Sequence, residues 1–161
     1  MSKIARLVCA GLILLAGAVP AAQAADLVKA RIAGRSEAAD VGRTMALAQR
    51  GDAHAQAILG FMYANGRGVP QSYDVAVDWY VQSAEQGDPT GQYLLGLMYD
   101  KGFGVNPNII LAHKWLNLAA AHAPRRNREN VLRLRDAVAS KMTRPQLDLA
   151  QQLAVDFVPV R

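Results

Sequence analysis

Residues 51–86 and 87–122 align end to end without a gap and agree at 13 of 36 positions. The shared residues are Gly51, Asp52, Gln56, Leu59, Gly60, Met62, Tyr63, Gly66, Gly68, Val69, Ala76, Trp79 and Ala84, each with a counterpart 36 residues later. A fixed period in this range marks a stacked repeat array, whose units bury their apolar faces only against their neighbours. Such arrays present surfaces to partners and rarely perform chemistry.

Each repeat reads as two helices. Ala53 to Asn65 is free of proline and rich in helix formers. Gly66-Arg67-Gly68-Val69-Pro70-Gln71 then breaks the helix. Ser72 is an N-cap residue type and opens a second helix, which runs to about Gln86 and ends at Gly87. In the second copy Asn108 holds the Ser72 position, and a helix from Ile109 to His122 ends before Pro124. Upstream, Glu37 to Arg50 spaces Val41, Met45 and Ala48 on one face. It reads as the second helix of an incomplete leading repeat. Downstream, Glu129 to Lys141 aligns Val131, Leu134, Val138 and Met142 on one face. Thr143-Arg144-Pro145-Gln146 forms a capping box for a last helix to about Asp156, with Leu149, Leu153 and Phe157 on one side. The expected fold class is all-α: seven helices and no strand, arranged as an α-solenoid of antiparallel hairpins.

Glycine inside a helix costs about 1 kcal/mol relative to alanine. Gly60 and Gly96 therefore point to a second helix passing too close for a side chain. Trp79 and Trp115 are expected to bridge between hairpins.

The motif A-x-Q-x-x-L-G-x-M-Y, then G-x-G-V, A-x-x-W and A-x-x-G-D, is carried by Ala55, Gln56, Leu59, Gly60, Met62, Tyr63, Gly66, Gly68, Val69, Ala76, Trp79, Ala84, Gly87 and Asp88. It resembles the Sel-one-like repeat (SLR) family, a relative of tetratricopeptide repeats. The second copy has Gly91 where the motif has alanine. Ala150-x-x-x-Ala154 and Met142-Thr143 look like the tail that closes bacterial members. The resemblance implies two full SLR repeats flanked by an N-terminal capping helix and two C-terminal capping helices. It also implies an adaptor or scaffold, often exported and tied to envelope systems. Some cysteine-rich relatives have been described as β-lactamases, but they are stapled by paired cysteines within each repeat. This chain has a single cysteine, Cys9.

The first 24 residues have the form of a secretory signal. Lys3 and Arg6 make a basic start, Leu7 to Val19 is apolar, and Ala22-Gln23-Ala24 is a small-x-small cleavage site. The expected organisation is a signal peptide over 1–24 cleaved after Ala24, a lead-in and capping helix over 25–50, repeats over 51–86 and 87–122, and a helical cap over 123–161. The expected location is periplasmic or secreted. Cys9 leaves with the signal, so neither a disulfide nor thiolate chemistry is expected.

Charge is uneven. The repeats hold three basic and six acidic residues, whereas residues 123–161 hold eight basic and four acidic. An exported chain meets little nucleic acid, so acidic proteins, anionic lipid heads or acidic polymers suit the basic end better. His54, His113 and His122 lack the spacing of a zinc site. Ser36, Ser72, Ser83 and Ser140 stand outside any nucleophile elbow. Gly66-Arg67-Gly68 reads as turn punctuation. Neither a catalytic constellation, a metal site nor a cofactor is expected, and a nucleic-acid partner is not expected either. An envelope hydrolase and a binder of peptidoglycan or polysaccharide are the alternatives to an adaptor.

Two surfaces are candidates for a partner protein or peptide. The first is the stripe opposite the motif face of each first helix: His54, Ile58, Phe61 and Asn65, then Thr90, Leu94, Leu97 and Lys101, with Tyr93 nearby. The family commonly has asparagine where Ile58 and Leu94 stand here. Resemblance to tetratricopeptide solenoids implies that this stripe lines a concave groove. The second is the basic run Arg125, Arg126, Arg128, Arg133 and Arg135, suited to peripheral contact with an acidic protein loop, anionic lipid or polymer.

Overall fold

The computed structural model describes residues 39–160. The expected signal segment, its cleavage site, Cys9 and the lead-in lie outside the described residues. Seven helices and no strand occur among those described. They are α1 (39–49), α2 (Ala53–Asn65), α3 (Tyr73–Glu85), α4 (Pro89–Lys101), α5 (Ile109–His122), α6 (Arg125–Ala139) and α7 (Arg144–Val155). None is long and apolar enough to cross a membrane.

The helix boundaries follow from local chemistry. The Asp52 carboxylate accepts from the Ala55 N–H at 2.7 Å, and Asp88 accepts from Gly91 at 2.8 Å. Ser72 and Asn108 cap the second helices in the same way. Gly66 and Gly102 close α2 and α4 in the left-handed region, at φ 65° and 72°, where a side chain would be strained. Gln146 returns its side chain to the Thr143 N–H at 2.9 Å, completing the capping box of α7.

The repeat motif explains the joints between units. Buried Gln56 donates to the Ala48 carbonyl at the end of α1. Gln92, one period later, donates to the Ala84 carbonyl at the end of α3. Gly51 N–H bonds Ala48 and Gly87 N–H bonds Ala84, both at 3.0 Å. The α1–α2 joint thus copies the α3–α4 joint, with α1 in the place that α3 holds one unit later. Ala48, Ala55 and Leu59 form its core, with Met45, Met62, Tyr63 and Trp79 packed against it.

Within each hairpin the interior glycine permits close approach. A β-carbon at Gly60 would lie 2.6 Å from the buried Tyr80 ring and 3.0 Å from the Ala76 carbonyl; at Gly96 it would lie 2.8 Å from Leu116. Tyr80 is fully buried, its hydroxyl has no hydrogen-bond partner among the described residues, and burial pushes its pKa up. Trp115 joins Ala64, Ala76 and Tyr80 of the first hairpin to Leu95 and Met98 of the second.

The C-terminal region departs from the expected pattern in two ways. First, α6 starts at Arg125, not Glu129. Ala53, Pro89 and Arg125 are spaced by 36, so the period continues into a third unit that has lost the motif. Ala123 and Pro124 stand where the earlier units have Gly-Asp, and α6 has no side-chain cap. Second, α7 does not bury Leu149, which is 48% exposed. Its inward face is Ala150 and Ala154, because small residues let the helix lie close on α5. Phe157 belongs to the extended segment after α7. Its ring meets Trp115 edge-on at 5.4 Å, and the Val160 N–H donates to the Glu85 carbonyl at 2.8 Å. The expected face of α6 holds: Val131 and Val138 are buried, and Leu134 and Met142 are packed beside them.

Candidate functional site

The first helices α2, α4 and α6 begin at the same point of the period. Across their starts lies a cleft of about 370 Å³. His54, Thr90 and Arg126 line it, and they occupy one repeat position, 36 residues apart. Asp88, Tyr93, Asn127 and Asn130 complete most of its polar wall, and Pro89, Ala123, Pro124 and Val131 form the rest.

The cleft opens because the third unit does not close as the others do. α2 and α4 touch side by side, but α6 packs on α5 without a comparable contact to α4. Tyr93 leans on the α5–α6 cluster of Ala119, Ala120, Ala123 and Val131, forming the floor on that side.

The charges inside the cleft are unequally engaged. Asp88 accepts the capping N–H of Gly91, sits 3.4 Å from the Ser83 hydroxyl and faces His54 Nδ1 at 3.4 Å. Its carboxylate is therefore already engaged by its neighbours. Arg126 is exposed and has no ion pair or hydrogen bond among the described residues.

The sequence-expected residues divide between surface and core. Ile58 and Phe61 are exposed at 38% and 40%, one and two turns along α2 from His54. Asn65 closes that stripe, its side chain donating to the Phe61 carbonyl. In the second repeat Leu94 and Leu97 are half-buried, and Leu94 packs on the central core. Lys101 turns to Asp100 at 3.0 Å.

The five arginines do not form one surface. Arg128 occupies the Gln56 position and reaches the Ala121 carbonyl at 3.5 Å, closing the end of α5 as the glutamines close α1 and α3. Arg135 is held by Asp136 and Asn117. Arg133 bonds Asn130 at 2.6 Å. Arg125 is exposed. Arg126, Asn130 and Arg133 fall at the repeat positions of His54, Ile58 and Phe61. They belong to the same stripe as the α2 residues, not to a separate basic surface. The signal was the spacing of 36 from Ala53 and Pro89 to Arg125, obscured because almost no motif residue survives beyond Ala123.

Among the described residues no group of three or more histidine, cysteine or acidic side chains could hold a metal ion. Among the described residues that line it, the cleft offers hydrogen-bond donors and the uncommitted cation Arg126, with an apolar strip adjoining, which is the equipment of a binding surface.

Comparison with known proteins agrees with this architecture. The Sel1 repeat family model matches residues 53–88 and 89–123. A crystal structure of a protective antigen present in uropathogenic Escherichia coli strains, displaying an SLR fold, is similar with 28% identity and a TM-score of 0.67, over 73% of this chain and 24% of that one. A Sel1 repeat protein from Oxalobacter formigenes is similar with 26% identity and a TM-score of 0.58, over 81% of this chain and 54% of that one. The chain thus spans about a quarter of the first and about half of the second. No curated protein matches this chain.

Proposed function

Because residues 53–123 are two Sel1 repeats stacked in an α-solenoid, we propose that the protein is a non-enzymatic adaptor. It takes a segment of a partner protein along the outer stripe of its first helices. Sel1 repeats are generally protein-interaction scaffolds. The observation that carries the reading for this chain is the stripe itself. Ile58 and Phe61 stand exposed on α2 and lead into the cleft at His54, Thr90 and Arg126. Exposed apolar residues that adjoin a concave polar pocket are a common form of recognition surface.

We place the partner in the cell envelope. The support is the basic, apolar and small-x-small order of residues 3–24. Fractionation with N-terminal sequencing should return a mature chain beginning at Ala25; a cytoplasmic chain retaining Met1 would remove the envelope assignment.

A photo-crosslinking residue at position 58, used in cells, tests the adaptor reading. A discrete crosslinked protein is expected, and it should be lost when the crosslinker is moved to the exposed outer position 149. Equal yields from both positions would refute recognition through the stripe. A nitrocefin assay on the purified chain separates the adaptor from a β-lactam hydrolase, and sedimentation with wall material separates it from a polymer binder.

A further inference from the structure

We infer that the segment recognised here is a peptide of mixed character, with an acidic side chain seated at Arg126 and apolar residues seated on Ile58 and Phe61. This deepens the adaptor reading and rests on it. The argument begins from the third unit. The stripe positions run His54, Ile58 and Phe61 in the first unit and Thr90, Leu94 and Leu97 in the second. In the third they run Arg126, Asn130 and Arg133. One continuous face therefore passes from exposed apolar groups to polar and cationic ones, and a ligand with the matching gradient is held in one direction only.

The cleft determines which charge fits. Its single acidic group, Asp88, is taken up by the α4 N-terminus, Ser83 and His54. Arg126 is left uncommitted, beside the amides of Asn127 and Asn130 and the hydroxyl of Thr90. A guanidinium with neutral donors around it pairs with a carboxylate, to which it can donate two parallel hydrogen bonds. A cationic group would meet the like charge of Arg126, and the carboxylate of Asp88 is already engaged by its neighbours. A volume of about 370 Å³ has room for an acidic side chain, and the exposed Ile58 and Phe61 alongside offer apolar ground to the residues of the same chain.

A membrane surface fits less well. Flat adsorption needs several arginines projecting together. Here Arg128 and Arg135 are turned to the protein's own carbonyl, amide and carboxylate groups. Those two side chains are engaged by the solenoid, and of the five arginines only Arg126 lines the cleft.

Selection of random 12-residue displayed peptides on the full chain tests the inference. Enriched peptides should carry Asp or Glu at one end and a pair of apolar residues towards the other. Arg126→Glu should weaken the best peptide about tenfold and turn the selection towards Lys or Arg, with an unchanged thermal melt as the control for folding. A peptide with Lys in place of its acid should recover binding to Arg126→Glu. Affinity for the acidic peptide should fall with salt.

Enrichment of apolar peptides that need Ile58 but carry no acid would overturn this inference and leave the adaptor reading standing. Failure to enrich any peptide, together with loss of the position-58 crosslink, would overturn both. Co-sedimentation with vesicles of phosphatidylglycerol that Arg126→Glu abolishes, without peptide enrichment, would assign the cation to lipid and reject the peptide.

Discussion

Helices α2–α3 and α4–α5 close as tight hairpins, whereas α6 and α7, which begin at or next to the matching points of the period, pack on α5 instead of on each other. The chemistry of one position accounts for much of the difference. The first two units have Gly60 and Gly96, against which Tyr80 and Leu116 lie at distances no β-carbon tolerates. The third unit has Leu132 there, half-buried and packed towards α5. The connection also shortens, from 66–72 and 102–108 to 140–143, and loses its glycines. A repeat that gives up its interior glycine cannot form the hairpin. It can still cover the apolar end of the preceding unit, and the resulting gap between α4 and α6 is the cleft.

Five changes would break or sharpen that comparison. The largest effect is expected from removing residues 125–161. This uncovers Ala112, Leu116, Ala119 and Ala120, all buried. The shortened chain should lose its cooperative thermal transition, because two units and α1 leave too much core open. A sharp melt followed by circular dichroism would show that the two tight hairpins suffice alone.

Converting the second hairpin into the third is next. Gly96→Leu should destabilise by more than about 3 kcal/mol, since even its β-carbon would press on Leu116 and the Ala112 carbonyl. The reciprocal Leu132→Ala should cost about 1 to 2 kcal/mol. Urea unfolding measures both, and similar costs would remove the glycine from the explanation.

The tie between the second repeat and the C-terminal region is smaller. Asp100 stands where the first repeat has Ala64, and its carboxylate takes Lys101 at 3.0 Å and Lys141 at 3.2 Å. Burial pushes its pKa up, but the hydrogen bonds and charges of the two lysines outweigh this and hold it below its usual value. A lowered pKa in the folded chain means stability that is present above the unfolded value near 4 and lost as pH falls through the folded one. Asp100→Asn should cost about 1 kcal/mol at neutral pH, the upper range for ion pairs whose lysines stay half-exposed, and should leave a flatter acid limb.

The smallest effect at neutral pH is expected at His113, where the first repeat has Val77. His113 is buried, and its Nδ1 has no hydrogen-bond partner among the described residues. Burial lowers its pKa, Arg135 lowers it further and Asp136 opposes. The unfolded chain therefore binds the proton more readily. Stability should be intact above the unfolded value near 6.5 and should decline as pH falls below it. His113→Val should remove that decline and leave the neutral-pH melt unchanged or slightly raised. A decline that persists unchanged in the variant would place its origin elsewhere.

Much of the architecture is legible in the sequence. Ala53–Asn65 and Ile109–His122 match the expected helices end to end, because glycine, proline and cap residues act locally. The close approach at Gly60 and Gly96 was also legible, since an interior glycine is unfavourable without such a reason. The roles of Asp52 and Asp88 as caps, and of Gln56 and Gln92 as clamps on the previous unit, were present in the motif but not evident from it. Each acts on a backbone group that is nearby only after the turn has formed. Of the candidate site, the α2 stripe and Tyr93 were legible. The union of that stripe with Arg126 was not, because it depends on α6 starting four residues before the apolar pattern announces it.

The sequence alone determined the period, the helix content and the hairpins, since these rest on local propensity and on a motif repeated at fixed spacing. The tertiary structure alone decided which stripe residues stay exposed. Ile58 and Leu94 occupy one repeat position, yet Ile58 is exposed and Leu94 packs on the core. The tertiary structure also decided that a degenerate third unit stands away from α4. Both outcomes depend on which neighbouring helix covers a position, and a period within one chain does not encode that.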